Sequence, residues 1–227
     1  ACVSIDVALF TNLSQDHLDY HGDMAAYGRS KLILASWPTL RSAIVNTDDA
    51  FGLQFQAQVQ SRNVECVSVG RSAEATCRIM NVSHQTHGQR IELSSNSGVV
   101  QIDTSVIGSF NADNMALVFA TLVRLGYDAS EVKRALAAVT PAPGRMQHIE
   151  GEPAVVVDYA HTPDALEKTL LALRPFANKR MGKLWVVFGC VGLFVGGGLC
   201  FWCGFFCFCV GVCGGGGGVG GWGGGPP

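Results

Sequence analysis

The sequence predicts an α/β protein built of two consecutive units, and three observations predict it. Apolar, partly β-branched strand-like runs alternate with helix-length segments through the first 190 residues. A Pro141-Ala142-Pro143-Gly144 stretch interrupts that alternation as a rigid linker, so residues 1–143 and 144–190 are read as separate domains. Every Lys, Arg, Asp, Glu and His lies at or before Lys183, so residues 191–227 stand apart from both. A length of 227 residues suits one to two domains.

The elements follow in order. Residues 3–10 are apolar and read as a buried strand that Thr11-Asn12 ends. Residues 24–36 have helical character, with Tyr27, Lys31 and Leu34 within reach of one surface. Residues 43–46 form a short strand, and Thr47-Asp48-Asp49 a turn or cap. Residues 52–60 fit a helix and 64–69 a strand. Runs at 77–82, 90–93 and 99–102, separated by Asn, Ser and Gly, predict a meander of hairpins. Residues 111–125 form a helix with Met115, Val118, Phe119 and Leu122 apolar; residues 130–139 form another, with Ser130 as N-cap. In the second unit, 154–157 is a strand, Thr162 caps a helix from Pro163 through Leu173, and 184–188 is the next strand. Strand, helix, strand implies a parallel sheet with a right-handed crossover.

Composition excludes some function classes. A net charge of −2 lacks the basic excess a nucleic-acid partner requires. Residues 1–10 have neither a basic n-region nor an A-x-A cleavage site, so no secretory leader is expected. Cys2, Cys66, Cys77 and Cys190 are sparse and irregularly spaced, and read as reduced packing residues of a cytosolic protein.

Several polar groups carry candidate chemistry, each with a plainer alternative. Residues 11–22 form the densest polar cluster and follow a buried strand, where open α/β sheets bind ligands. Imidazole and carboxylate there suit a divalent metal, and Asp16, His17, Asp19 and His21 would serve a metal-dependent hydrolase. The plainer reading is a solvated, capped loop. Lys31 is either a snorkelling lysine or a desolvated amine. Asn111, with Asn114, is either an N-cap or a reader of an adenine edge. Arg145 lies at the hinge, where it pairs with phosphate or across domains. Asp158 follows a strand, where acidic residues accept from ribose hydroxyls; Asp164 and Glu167 complement a helix N-terminus.

Taken in order, these segments resemble one family. T-N-L-S-x-D-H-L-D-Y-H-G-D-M is followed by Y-x-x-x-K, G-x-F-N-x-x-N, P-x-x-G-R-M, V-V-V-D-Y-A-H-T-P-D-A-L-E-K and K-L-W-V-V-F-G-C. The series is similar to the Mur ligases, over the first residues to Cys190. The resemblance implies most of a central ATP-binding domain over 1–143 and the start of a Rossmann-like C-terminal domain over 144–190. It implies that Lys31 is carbamylated and, with His17, binds Mg2+. It also implies that Asn111 lies near adenine, Arg145 at the γ-phosphate and Asp158 at ribose. The implied reaction is amide-bond formation in peptidoglycan-precursor synthesis. ATP phosphorylates the terminal carboxylate of UDP-N-acetylmuramoyl-L-Ala-D-Glu, and the amine of meso-diaminopimelate or lysine attacks the acyl phosphate. The implied setting is a cytoplasmic monomer with no membrane or nucleic-acid partner. Folylpolyglutamate synthases share this fold and carbamate logic, and remain the alternative within the superfamily.

The sequence departs from the family at two places. No G-x-x-x-x-G-K-[ST] phosphate loop occurs in it, so this chain alone is expected to be inactive. After Cys190 the G-G-D-R-D-like segment of the family is replaced by Gly, Val, Phe, Cys, Trp and Leu, residues that G- and T-rich codons encode. Residues 191–213 are long and apolar enough for a membrane span, but their cysteines lack paired zinc spacing. The abrupt change in mid-motif reads as a frameshift or sequencing artefact over 191–227.

Overall fold

The computed structural model describes residues 3–13, 23–85, 87–149, 151, 153–160 and 163–188, and the backbone of 191–195, 198–202 and 206–210. Six described strands form one mixed sheet in sequential order: β1 (Val7–Phe10), β2 (Ser42–Asn46), β3 (Glu65–Gly70), β4 (Cys77–Gln85), β5 (Gly88–Ser95) and β6 (Gly98–Thr104). β1 through β4 run parallel, and β4, β5 and β6 are antiparallel. The predicted meander is thus fused to the parallel half rather than forming a separate sheet. β1 starts at Val7, four residues later than expected, because its ladder with β2 begins at Val7↔Ser42.

Helices α1 (Met24–Ala35) and α2 (Ala50–Ser61) cover one face of the parallel half. Helix α3 (Ser109–Arg124) covers the other face, and α4 (Ala129–Ala137) packs on β6. Strand β2 shows the consequence. Ala43 and Val45 join Phe10, Phe55 and Val59 in one core, while Ile44 joins Met115, Ala116 and Phe119 in the other. A strand buried on both faces has to be apolar throughout, and Ala43-Ile44-Val45 is. In β5 the alternation is one-sided, with Gln89, Ile91 and Leu93 buried and Arg90 and Glu92, which alternate with them, less so.

Two caps differ from expectation. Asp128, not Ser130, is the N-cap of α4: its carboxylate accepts from the backbone N–H groups of Ser130 and Glu131 at 2.9 and 3.2 Å. A carboxylate outcompetes a hydroxyl here because it brings negative charge to the positive end of the helix. The α3 helix begins at Ser109 with Gly108 (φ 101°) as its N-cap, so Asn111 lies inside the first turn.

The second unit holds β7 (Gln147–Ile149), β8 (Ala154–Asp158), α5 (Pro163–Lys179) and β9 (Val187–Phe188). The expected cap at Thr162 lies outside the described residues. Helix α5 continues past Leu173 and carries Pro175 in its interior. An interior proline costs about 3 kcal/mol. Phe176 and Ala177 are buried beyond it, and burying a phenylalanine alone returns roughly 1.5–3 kcal/mol. The strand expected over 184–188 is only two residues long, since its partner pairs with Val187 and Phe188 alone.

The parallel β8–β9 neighbourhood is not realised. β12 (Phe206–Val210) lies between the two strands, antiparallel to each, and β7 adds antiparallel to β8. β10 (Val191–Val195) and β11 (Gly198–Trp202) pair as a separate hairpin. The described parts of 191–210 are strands. No helix among the described residues is long and apolar enough to cross a membrane.

The two units meet in one core, where Ile107 and Phe110 pack with Met146, Val156, Leu173 and Phe176. A second contact lies at the far end of α5, where the Lys179 ammonium donates to the His84 carbonyl at 2.6 Å.

Two predictions follow from these contacts. Asp128→Ala should lower the urea midpoint, and Ser130→Ala should lower it distinctly less. Burial and the neighbouring Lys179 hold the His84 imidazole below its ordinary 6.5. The unfolded chain therefore takes up a proton at His84 before the folded one does. Stability from this site is present at neutral pH and is lost as pH falls through 6.5. His84→Gln should flatten the pH dependence of the thermal midpoint between about 7.5 and 5.5; an unchanged slope would exclude the His84 contribution.

Candidate functional site

Two sites take shape from the predicted residues. The first lies at the carboxyl end of β1. Here the Asn46 amide donates to the Thr11 carbonyl at 2.8 Å, and Asp49 Oδ2 accepts from Leu13 N–H at 3.1 Å. Asp49 Oδ1 accepts from Phe51 and Gly52 N–H, so the same carboxylate starts α2. Helix α2 comes close because residue 52 is glycine: a Cβ there would lie 1.9 Å from the Asn46 carbonyl oxygen. Lys31 reaches this strand end from α1. It lines a cleft of about 160 Å3 with Leu9, Phe10, Thr11 and Asn12, its ammonium 4.9 Å from the Tyr27 ring centroid. A cation over an aromatic face stays partly desolvated on one side.

The second site lies where α3 begins. Asn111 donates through Nδ2 to the Ile107 carbonyl at 2.8 Å. That bond fixes the amide plane; Oδ1 also accepts from the Asn114 amide at 3.5 Å, which leaves one N–H and one lone pair of Oδ1 for other partners. Asn111 and Arg145, which are 34 positions apart, line one cavity of about 310 Å3. Its remaining walls include Val106, Met115, Val118, Val139 and Pro141. An apolar slot with an amide at its rim suits a flat heteroaromatic ring. The Arg145 guanidinium stands 5.1 Å from the Tyr159 ring centroid.

Asp158 ties this cavity to the second unit. It is 8% exposed, and its carboxylate accepts from Met146 N–H and Ala160 N–H, each at 2.9 Å, and from the Thr169 hydroxyl at 3.2 Å. Both oxygens are therefore engaged within the protein. Met146 has a positive φ of 47° and is 1% exposed. Asp158 thus holds the residue next to Arg145 in a conformation that L-residues rarely adopt.

On the other side of α3, Arg71 bridges Asp48 and Asp113 at 2.6 and 2.8 Å. Burial pushes the Asp113 carboxyl up, against the pull of Arg71.

The structure brings Asn111 and Arg145 together, with Asp158 one residue removed through Met146. Lys31 stands at a different strand end. His17, and with it the Asp16, His17, Asp19, His21 cluster, lies outside the described residues. Among the described residues no group of three or more His, Cys, Asp and Glu is arranged to hold a metal. A lysine ammonium has no lone pair for a cation, whereas a carbamate on Lys31 would supply oxygen donors.

Sequence reasoning missed Gln89. Its side chain is 1% exposed and donates to the Gly108 carbonyl at 3.1 Å, supporting the start of α3. The available signal was phase: Gln89 occupies the same alternation as the core residues Ile91 and Leu93.

Comparison with known proteins adds identity to this geometry. Residues 1–122 match the Mur ligase middle domain, and residues 144–193 match the Mur ligase glutamate ligase domain. UDP-N-acetylmuramoyl-L-alanyl-D-glutamate–2,6-diaminopimelate ligase of Janthinobacterium sp. (strain Marseille) is 43% identical over 196 residues, 82% of this chain and 39% of that protein. Its Acidovorax sp. (strain JS42) counterpart is 42% identical over 190 residues, 83% of this chain and 38% of that protein. The chain therefore spans about two fifths of the length of these relatives. A solved structure of a ligase of the same name has a TM-score of 0.66 at 31% identity, covering 75% of this chain and 36% of that one. The apo form of L. casei FPGS has a TM-score of 0.63 at 18% identity, over 76% of this chain and 42% of that one, which shows a shared fold.

Removing the Asp158 carboxylate tests its place in the geometry. Asp158→Ala leaves two backbone N–H groups and a hydroxyl without their acceptor. It should cost roughly 3–5 kcal/mol in urea unfolding. A loss below about 1 kcal/mol would mean that water replaces the carboxylate at little cost.

Proposed function

This chain belongs to the Mur ligase family, and from that premise we propose that it supplies the adenine side of an ATP-dependent amide-forming site in peptidoglycan-precursor synthesis. The substrates are UDP-N-acetylmuramoyl-L-alanyl-D-glutamate and a diamino acid, meso-diaminopimelate or lysine. Relatives above 40% identity that carry the diaminopimelate ligase name support this choice over the folylpolyglutamate branch, whose likeness is at 18% identity. A metal-dependent hydrolase draws no support from these relatives.

The observation that carries the reading is the cavity shared by Asn111 and Arg145. Asn111 offers its remaining amide atoms to a base edge in an apolar slot. Arg145 holds fixed positive charge at the mouth, where phosphate oxygens would pass, and offsets their repulsion. ATP supplies the phosphoryl group that turns a carboxylate into an acylating agent. Asp158 acts first on the protein, holding Met146 and so Arg145, and a ribose contact would be additional. Lys31, once carbamylated, would hold magnesium with His17 and cancel charge near the transferred group. We place the unit boundary at 143/144, supported by the match that begins at 144. Residues 191–227 are read as a frameshift or sequencing artefact; other reading frames of the gene should restore a G-G-D-R-D-like segment. We further place the protein in the cytoplasm, as a monomer.

The test is ATP-dependent formation of the tripeptide product by the whole protein, read as product mass and phosphate release. Arg145→Ala should lower kcat/KM by at least about a hundredfold, the scale of losing one transition-state charge partner. Asn111→Ala should mainly raise the KM for ATP. Lys31→Ala should abolish turnover, and native Lys31 should carry the mass of one added CO2. Full activity in Arg145→Ala would sink the proposal. The 227-residue chain alone, which contains no phosphate-loop sequence, should form no product.

A further inference from the structure

The chain beyond β1 is held by side chains rather than by the sheet. The β1–β2 ladder stops at Phe10↔Val45, so Thr11, Asn12 and Leu13 lie past its last pair. Two side chains at and just after the end of β2 take over. The Asn46 amide donates to the Thr11 carbonyl at 2.8 Å, and Asp49 Oδ2 accepts from Leu13 N–H at 3.1 Å. The Asn46 amide is set in this orientation, because its Oδ1 accepts from Asp48 N–H at 3.0 Å.

The two bonds act on adjacent peptide units. The Thr11 carbonyl belongs to the unit before Asn12, and the Leu13 N–H to the unit after it. Peptide units are planar, so φ and ψ of Asn12 are the only soft torsions between the two anchors. Anchoring both units leaves Asn12 little freedom. Thr11 and Asn12 line the Lys31 cleft, as does Phe55 of α2. Asp49 serves that helix too, since its Oδ1 accepts from Phe51 and Gly52 N–H at the start of α2. One carboxylate therefore sets two walls around one lysine.

We propose that Asp49 and Asn46 are positioning residues, which hold Thr11 and Asn12 against Lys31 so that a carbamate on its amine stands in a fixed place. The role in turnover rests on the ligase reading of Lys31; the anchoring does not. A carboxylate is needed at 49 rather than an amide. Asn caps a helix as well as Asp does, but it has a single oxygen. The two N–H groups of α2 outnumber the one of Leu13, so that oxygen stays with the helix and the amide NH2 meets Leu13 N–H. Asp49→Asn thus separates the two tasks.

The test compares wild type with Asp49→Asn and Asn46→Asp in the whole protein. In Asp49→Asn the thermal midpoint stays close to wild type, and the Leu13 amide exchanges with solvent at least about tenfold faster. Its kcat falls about tenfold to a hundredfold at an unchanged KM for ATP, the scale of a small misplacement near the reacting groups. A merely structural role predicts instead that kcat follows the thermal midpoint, leaving Asp49→Asn fully active. Asn46→Asp still accepts from Asp48 N–H but has nothing to donate to Thr11. It should show the same loss of kcat, and it carries the comparison if Asp49→Asn does not fold. Unchanged Leu13 exchange or full kcat in Asp49→Asn overturns the proposal. If the wild-type protein forms no tripeptide, the ligase reading fails, and acylation of Lys31 by acetic anhydride decides the positioning role. A faster rate at Lys31 in Asp49→Asn upholds it, and an equal rate overturns it.

Discussion

The hydrogen bond from Met146 N–H to Asp158 is the constraint on which the arrangement around α3 depends. It runs from just past the linker to the end of β8 and holds a buried side chain against Ile107 and Phe176. It lies within the second unit, and the Met146 side chain it positions is one of the residues through which the two units share a core. Without a carboxylate at 158, the linker loses the acceptor that sets its course, and Arg145 loses its fixed direction. Gly108 completes the fit: a Cβ there would come within 3.4 Å of the Met146 Cε atom, at a φ of 101° that other residues resist. Gln89 supports the same glycine from the β5 side.

The mixed sheet divides the work. Its parallel half is covered on both faces and presents strand ends to Lys31 and to the Arg71 bridge. Its antiparallel half is covered on one face and acts as a shelf for α3 and α4. The β3–β4 border, where the pairing changes character, is held by only two residue pairs and a hydroxyl bridge. Local pairing is weakest there.

Much of this was legible in the sequence because it is local. Periodicity located most strands and helices of residues 1–190 within a few residues, since apolar spacing reports burial directly, but it missed β7 and ended α5 six residues early. Pro141 to Gly144 marked the linker for the same reason. The pairing of Asn111 with Arg145 was legible only through family resemblance. The unread parts are long-range. Asp49 binds Leu13 across 36 positions, and Asn46 binds Thr11 across 35. No local pattern encodes such a partner. Asp128 was misread because Ser130 is also a good cap, and only geometry tells which oxygen faces the helix end. β12 between β8 and β9 could not be foreseen, because a glycine-rich apolar alphabet carries no phase.

Met146 has a consequence for engineering. Its backbone adopts a conformation that costs an L-residue about 1–2 kcal/mol, while its side chain fills the shared core. Glycine would relax the backbone and leave a void costing roughly 2–5 kcal/mol. Asparagine tolerates the backbone and brings an amide into an apolar setting. Leucine keeps the volume and retains the strain. Each single step away is worse for a different reason, so a library randomised at this codon should return methionine. Gains in thermal robustness would have to come from positions that do not touch it.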